Sequence, residues 1–148
     1  MAAVRRAQAT WTGDLASGKG VVSAASSGVF KDFAVSWARR SEADANGVTS
    51  PEELLAAAHA ACFAMALSAG LARAGAPPEE LNVTANVTFD RVGDGFKVVS
   101  SALEVHGHVH GMNAEDFVKA AEAAKDGCPI SSALKGNVEL SVKATHES

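Results

Sequence analysis

Two cysteines are the residues of this 148-residue sequence best suited to covalent chemistry. Cys62 lies in an alanine-rich run, residues 54–72, that carries no charge if His59 is neutral. A lone buried cysteine is most often an inert apolar residue, and this is the simplest interpretation of Cys62. Cys128 precedes Pro129 and is predicted to be a helix N-cap, where the helix dipole and free amides lower the pKa of a thiol. If the two sulfur atoms lie close together, they form a candidate peroxidatic and resolving pair.

Histidines supply two further candidates for chemistry, both of them metal sites. His59 lies three residues before the first cysteine and could bind zinc with the two thiols, although the spacing is not that of a zinc motif. His106, His108 and His110 alternate, so their side chains could share one face of a strand. No acidic residue is obviously placed to complete this set. An exposed strand end is therefore the simpler interpretation, and no metal is predicted.

A long helix must position the first cysteine. Ser50 and Pro51 are predicted to be its N-cap and first residue. Glu52 and the next glutamate then lie in the first turn, where the positive end of the helix dipole favours them. Gly75 and the two prolines that follow predict an end near Ala74. Because this helix has no polar face, it is predicted to be a buried core helix.

The remaining elements follow from alternating apolar residues, turn residues and helix-capping residues. Strands are predicted at residues 7–12, 20–26, 30–37, 81–91, 96–110 and 137–144, helices at 113–127 and 128–135, and a polar loop at 38–48. The resulting order, βββ-α-ββ-αα-β, predicts an α+β fold. Strands that alternate in polarity leave one face in water, which favours antiparallel sheets around the central helix.

The overall composition narrows the class of protein. A length of 148 residues favours one domain, and a net charge of −4 with a pI near 5.7 argues against nucleic-acid binding. Two cysteines and an amino terminus without an apolar signal segment favour a reducing, cytoplasmic setting. The central helix is mostly alanine and includes His59 and Ser68, so we expect a soluble core helix and no membrane association.

The segments around both cysteines resemble the two signatures of the osmotically inducible protein C (OsmC) family, whose sister group is the organic hydroperoxide resistance (Ohr) proteins. The first segment, residues 50–63, reads Ser-Pro-Glu-Glu-Leu-Leu-Ala-Ala-Ala-His-Ala-Ala-Cys-Phe. The second, residues 127–131, reads Gly-Cys-Pro-Ile-Ser. The order of predicted elements is similar to that of the family along the whole chain. His59 stands where the Ohr branch tends to have tyrosine, which indicates the OsmC branch.

The resemblance implies a thiol-dependent peroxidase of stress defence that needs no cofactor. It would reduce organic hydroperoxides, and hydrogen peroxide less well. Cys62 would be the peroxidatic nucleophile and Cys128 the resolving thiol. Glu52 and Arg40 would complete the catalytic set, with Arg39 as the alternative arginine. An external dithiol, of the lipoyl type, would reduce the resulting disulfide.

The resemblance also implies apolar residues around the substrate, here Phe63 and Met65. Helix geometry adds a further expectation, because Glu52 and Cys62 are ten residues apart and therefore about 15 Å apart along the helix axis. We expect an intertwined homodimer with composite sites, each taking Arg40 and Glu52 from one chain and Cys62 from the other. The alternative function is a small-molecule binding protein that uses the same dimer groove without turnover.

Overall fold

The strands before the central helix form a small antiparallel sheet in the computed structural model, which describes residues 1–148. Their order in the sheet is the order in the chain: β1 is Gln8–Thr12, β2 is Lys19–Ser23 and β3 is Phe33–Val35. This meander was predicted, but β3 is shorter than the predicted strand. Asp32 has a left-handed backbone conformation with φ of 55°, which stops the extended strand on that side.

A short helix, α1, spans Trp37–Ser41, in the region predicted to be the end of a strand and a loop. Ser36 is its N-cap, and the Ser36 hydroxyl accepts a hydrogen bond from the backbone N–H of Arg39. The helix ends after one turn and buries none of its residues, so the sequence carries no apolar stripe that could have revealed it.

The central helix, α2, spans Pro51–Arg73, and both predicted ends are confirmed. Ser50 caps it, since the Ser50 hydroxyl accepts a hydrogen bond from the backbone N–H of Glu53 at 3.1 Å. At the other end Gly75 adopts φ of 81°, and the N–H of Ala76 donates to the carbonyl of Leu71 at 3.0 Å. This is a Schellman motif, which requires a left-handed residue and so favours glycine.

Helix α2 is buried on one side only, which corrects the prediction of a helix buried all round. Beyond the first turn, which holds the buried Glu52, the buried side consists of four residues at helical spacing: His59, Phe63, Leu67 and Leu71. The opposite side is exposed in a single chain and consists of small apolar residues and one methionine: Ala57, Ala58, Ala61, Met65, Ala69 and Ala72. Sequence alone did not separate the two sides, because alanine is compatible with either environment.

Helix α2 is also long and apolar enough to cross a membrane, since it has 23 residues and includes an 18-residue stretch with a mean hydropathy of 1.8. The core helix of a soluble protein meets the same criteria, and one side of α2 packs as such a helix does. Its Phe63, Leu67 and Leu71 belong to a continuous apolar core with the sheet residues Leu103 and Val105. One side of α2 is therefore part of the apolar core, as in the core helices of soluble proteins.

A second sheet follows α2 and has the order β4-β5-β6. β4 is Glu80–Val92, β5 is Gly95–His108 and β6 is Glu139–Glu147. The β4–β5 hairpin is antiparallel as predicted, but β6 pairs with β5 in parallel, so this sheet is mixed. Two helices form the crossover between β5 and β6, and such a connection returns the chain to the sheet in the original direction.

The two crossover helices carry the second cysteine. α3 spans Ala114–Gly127 and is capped by Asn113, while α4 spans Pro129–Leu134. α3 packs its Phe117 ring against Gly107 of β5, where a Cβ atom would lie only 2.3 Å from the ring. The chain divides into two compact units, residues 1–54 and 55–148. That these units form a single domain stays a prediction.

Candidate redox site

The two cysteines meet within the second unit. Cys62 lies in α2 and is partly exposed, whereas Cys128 is fully buried between α3 and α4. Cys128 is the C-cap of α3 and the N-cap of α4, and its backbone N–H donates to the carbonyl of Ala124 at 2.9 Å. Cys62 packs against the apolar core that contains Cys128, each thiol shifts the pKa of the other, and both are free thiols. The structure thus brings together the two residues that the sequence identified for thiol chemistry.

Cys128 is the thiol that its own chain makes more acidic. Burial by itself raises the pKa of Cys128, but the backbone amide of Ser131, the thiol of Cys62 and the hydroxyl of Ser131 outweigh burial and lower it. The predicted fall in the pKa of this helix-capping thiol is confirmed in direction.

In a single chain the pKa of Cys62 is raised, unlike that of Cys128. Burial raises the pKa of the Cys62 thiol, and its hydrogen bond to Cys128 raises the pKa further. The backbone amide of Ile130 acts in the opposite direction without overcoming these effects. Since a thiolate is the reactive form, Cys62 needs a further favourable charge before it can attack a substrate readily.

A buried histidine, His59, holds Ser131, the residue whose hydroxyl acts on Cys128. His59 is completely buried, with its Nδ1 atom 2.7 Å from the hydroxyl of Ser101 and its Nε2 atom 2.8 Å from the hydroxyl of Ser131. If the Ser131 hydroxyl donates to the Cys128 sulfur, the Ser131 oxygen accepts a hydrogen bond from Nε2–H of His59. The Nδ1 atom of His59 then carries no proton and accepts a hydrogen bond from the hydroxyl of Ser101. Both ring nitrogens are therefore occupied, and the candidate zinc site of His59 with the two cysteines is not formed.

Replacing His59 with phenylalanine should change how the stability of the protein depends on pH. Burial lowers the pKa of His59 in the folded state, so below about pH 6.5 the unfolded chain binds a proton that the folded chain does not. The wild type should therefore lose free energy of unfolding as the pH falls from 7.5 to 5.5. H59F should lose less over that range, although at pH 7.5 it should already be destabilised by about 1–3 kcal/mol through its unpaired serine hydroxyls.

Urea denaturation at the two pH values measures both effects. His106→Asn is the matched control for stability, because His106 is exposed and its replacement should leave the free energy of unfolding at pH 7.5 nearly unchanged. An H59F protein with the full wild-type pH dependence would contradict the assignment of a neutral, buried His59.

The first unit holds the predicted arginine and glutamate as an ion pair. The Nη2 and Nε atoms of Arg40 donate to the carboxylate of Glu52 at 2.7 and 3.1 Å. Glu52 is only 7% exposed, so this two-pronged pair is partly shielded from water. Arg39 instead pairs with Glu42 at 2.8 Å on the surface. Of the two adjacent arginines, Arg40 is thus the one fixed by Glu52.

The two predicted substrate-binding residues lie on different sides of α2. Phe63 is fully buried in the apolar core, whereas Met65 is 68% exposed. Met65 lines a shallow groove with Ala69 of α2 and Leu81 of β4. Met65 is therefore accessible to a substrate in a single chain, and Phe63 supports the helix from behind.

Two features define a candidate thiol–disulfide redox protein: an α+β fold and a pair of neighbouring thiols, one within α2 and the other at the start of α4. The chain belongs to the OsmC family, whose model, described as OsmC-like protein, matches residues 44–143. This confirms the resemblance seen in the two cysteine segments. The family assignment and the element order together establish the OsmC-like α+β fold.

Individual relatives agree with this assignment. The chain is 42% identical over 136 residues to the peroxiredoxin OsmC of Escherichia coli (strain K12), with 92% of this chain and 93% of the relative covered. It is 36% identical over 97 residues to the organic hydroperoxide resistance protein OhrA of Bacillus subtilis, covering 64% and 66% of the two chains. The crystal structure of an organic hydroperoxide resistance protein from Elizabethkingia anophelis superposes with a TM-score of 0.70, at 28% identity, and covers 99% of this chain and 100% of that chain.

Proposed function

We propose that this protein is a thiol-dependent peroxidase that reduces organic hydroperoxides, and hydrogen peroxide less well. The observation that carries the proposal is the proximity of a partly exposed thiol, Cys62, to a buried, acidified thiol, Cys128. Two neighbouring thiols of this kind can be oxidised to a disulfide. Relatives named peroxiredoxin OsmC and organic hydroperoxide resistance protein support the same chemistry.

The first chemical step takes place at Cys62, the more accessible sulfur. Its thiolate attacks the terminal oxygen of the hydroperoxide, and the O–O bond breaks. The sulfur is oxidised to a sulfenic acid, while the leaving alkoxide takes up a proton and departs as an alcohol. Cys62 suits this role because the hydroperoxide can reach it, whereas Cys128 has no exposed surface.

The second step uses the acidified thiol of Cys128. Its thiolate attacks the Cys62 sulfur, the S–O bond breaks, and hydroxide leaves and is protonated to water. The Ser131 hydroxyl and amide stabilise the Cys128 thiolate, and His59 holds Ser131 in place. The resulting disulfide prevents further oxidation of Cys62 to the irreversible sulfinic acid. An external dithiol, for which a lipoyl-type carrier is our proposal, then reduces the disulfide and becomes oxidised itself.

The organic part of the substrate would lie in the groove that Met65 and Ala69 of α2 form with Leu81 of β4, at the margin of the exposed side of α2. Met65 and its alanine neighbours offer an apolar surface, and the methionine side chain adapts readily to different shapes. Burying an alkyl chain there contributes about 0.8 kcal/mol per methylene group. This accounts for a preference for organic hydroperoxides over hydrogen peroxide. Phe63 contributes from the core by fixing the orientation of the helix.

The active site is proposed to be complete only in a homodimer. Within one chain the pKa of Cys62 is raised, so a cation must be supplied for it to ionise. Arginine suits this purpose, because it stays protonated even when it is shielded from water. Arg40 is already oriented by Glu52, but ten residues of helix separate Glu52 from Cys62, a rise of about 15 Å. A second chain can bridge that distance if two α2 helices pass each other in opposite directions.

The exposed side of α2 fits a second copy of the same helix. Five of its six residues are alanines, which let two helix backbones approach closely. Exposed apolar stripes of this kind commonly mark protein interfaces. We propose that the whole chain acts as one domain in such a dimer, in the cytoplasm, as part of the defence against oxidative or osmotic stress.

A stoichiometric titration tests the proposed function. The reduced protein is mixed with cumene hydroperoxide, and free thiols and remaining peroxide are counted. We expect one peroxide consumed and both thiols lost per chain, followed by full recovery of the thiols with dihydrolipoamide and repeated turnover. A non-catalytic binding protein would retain its thiols and the peroxide, and that result would reject the proposal.

A further inference from the structure

A cluster of two histidines and one glutamate lies at the end of the second sheet, outside the cysteine pair. The Nε2 atom of His108 is 3.3 Å from Oε2 of Glu79, and the Nε2 atom of His110 is 3.0 Å from Oε1 of the same residue. All three ligand atoms lie within 4.8 Å of one another. From this geometry we propose that Glu79, His108 and His110 bind a divalent transition-metal ion such as Zn²⁺.

The backbone holds these three residues in place. His108 is the last residue of β5 and His110 follows two positions later, so both side chains point away from the buried Val109 between them. Glu79 immediately precedes β4, and its backbone N–H donates to the carbonyl of His108 at 2.9 Å. Two chain segments, the start of β4 and the end of β5, therefore bring the three side chains to one point without any rearrangement of the sheet. The sequence did not reveal Glu79, because it lies outside the alternating strand pattern.

The chemistry of the ligands selects the type of ion. Two imidazole nitrogens and one carboxylate are typical ligands for zinc and other late first-row metals, whereas calcium and magnesium prefer oxygen ligands alone. Three protein ligands leave at least one position for water. Glu80 and Glu147 are the register partners of His108 on the two neighbouring strands, and their negative charge favours a cation at this place.

Zinc titration of the tag-free, reduced, full-length protein tests the site, with isothermal calorimetry as the measurement. We expect one ion per chain, and at least about a tenfold loss of affinity in H108N, H110N and E79Q. H106N is the matched control, because His106 lies on the same face of β5 but pairs with Glu147, and it should bind zinc like the wild type. Saturating zinc should also raise the midpoint of thermal unfolding by about 5 °C in the wild type but not in H110N.

The two cysteines are the main competing ligands, and a second measurement separates them from the cluster. Cobalt(II) bound by His108, His110 and Glu79 should show d–d absorption without a thiolate charge-transfer band, and the C62S/C128S double variant should bind it like the wild type. Unchanged zinc affinity in H110N would overturn the proposal. Loss of the zinc or cobalt site in C62S/C128S would overturn it equally, because the cysteines would then be the ligands.

Discussion

Replacing Cys62 with serine should abolish peroxide consumption, whereas replacing Cys128 with serine should permit one turnover and then stop the reaction. Cys62 is the sulfur that a hydroperoxide can reach, and serine is not a nucleophile toward the O–O bond under these conditions. We expect the rate of C62S to fall by about 10³-fold or more. In C128S the first step still occurs, but the sulfenic acid on Cys62 has no neighbouring thiol with which to condense.

Mass spectrometry of each variant after one equivalent of cumene hydroperoxide distinguishes the roles of the two cysteines. C128S should gain one oxygen atom on Cys62, and C62S should remain unmodified. This comparison is informative because, within one chain, the pKa is lowered at Cys128 and raised at Cys62. If acidity rather than access decided the reaction, C62S would carry the oxygen on Cys128, and the proposed order of the two steps would be reversed.

The features of the fold that depend on local chemistry were predictable from the sequence. Ser50 and Pro51 start α2, and Gly75 ends it, because each acts on backbone groups within one turn of itself. The same holds for Cys128, whose position before Pro129 predicted both a helix start and an acidified thiol. The family signatures around the two cysteines extended this local information to the complete element order.

The features that depend on distant contacts were not predictable in the same way. The alternation of β6 is the same in a parallel and in an antiparallel sheet, so its direction became visible only in the fold. His59 and Ser101 are 42 residues apart in sequence, and nothing near Ser101 indicates that its hydroxyl meets an imidazole. The adjacent Arg39 and Arg40 are chemically identical, and only their partners, Glu42 and Glu52, distinguish them.

Replacing Arg40 with methionine should reduce kcat/KM by about 10²-fold or more, because the Cys62 thiolate and the peroxide oxygens would lose their only proposed cation. Arg40→Lys should recover only part of the activity, since lysine keeps the charge but cannot make the two-pronged contact with Glu52. Arg39→Met is the matched control. It removes the same charge from the neighbouring position, where the partner is the exposed Glu42, and should leave kcat/KM nearly unchanged.

Coexpression of R40M with C62S tests whether Arg40 and Cys62 of one active site come from different chains. Each variant alone should be inactive, but a mixed dimer contains one site that pairs an intact Arg40 with an intact Cys62. Random pairing of the two chains makes half of the dimers mixed, and in each mixed dimer one of the two active sites is intact. The mixture should therefore regain about a quarter of wild-type activity. Adding A61E to both chains places a charge on the exposed side of α2 and should prevent this recovery. If Arg40 instead serves the Cys62 of its own chain, the mixture will be as inactive as either variant, because no chain then carries both residues.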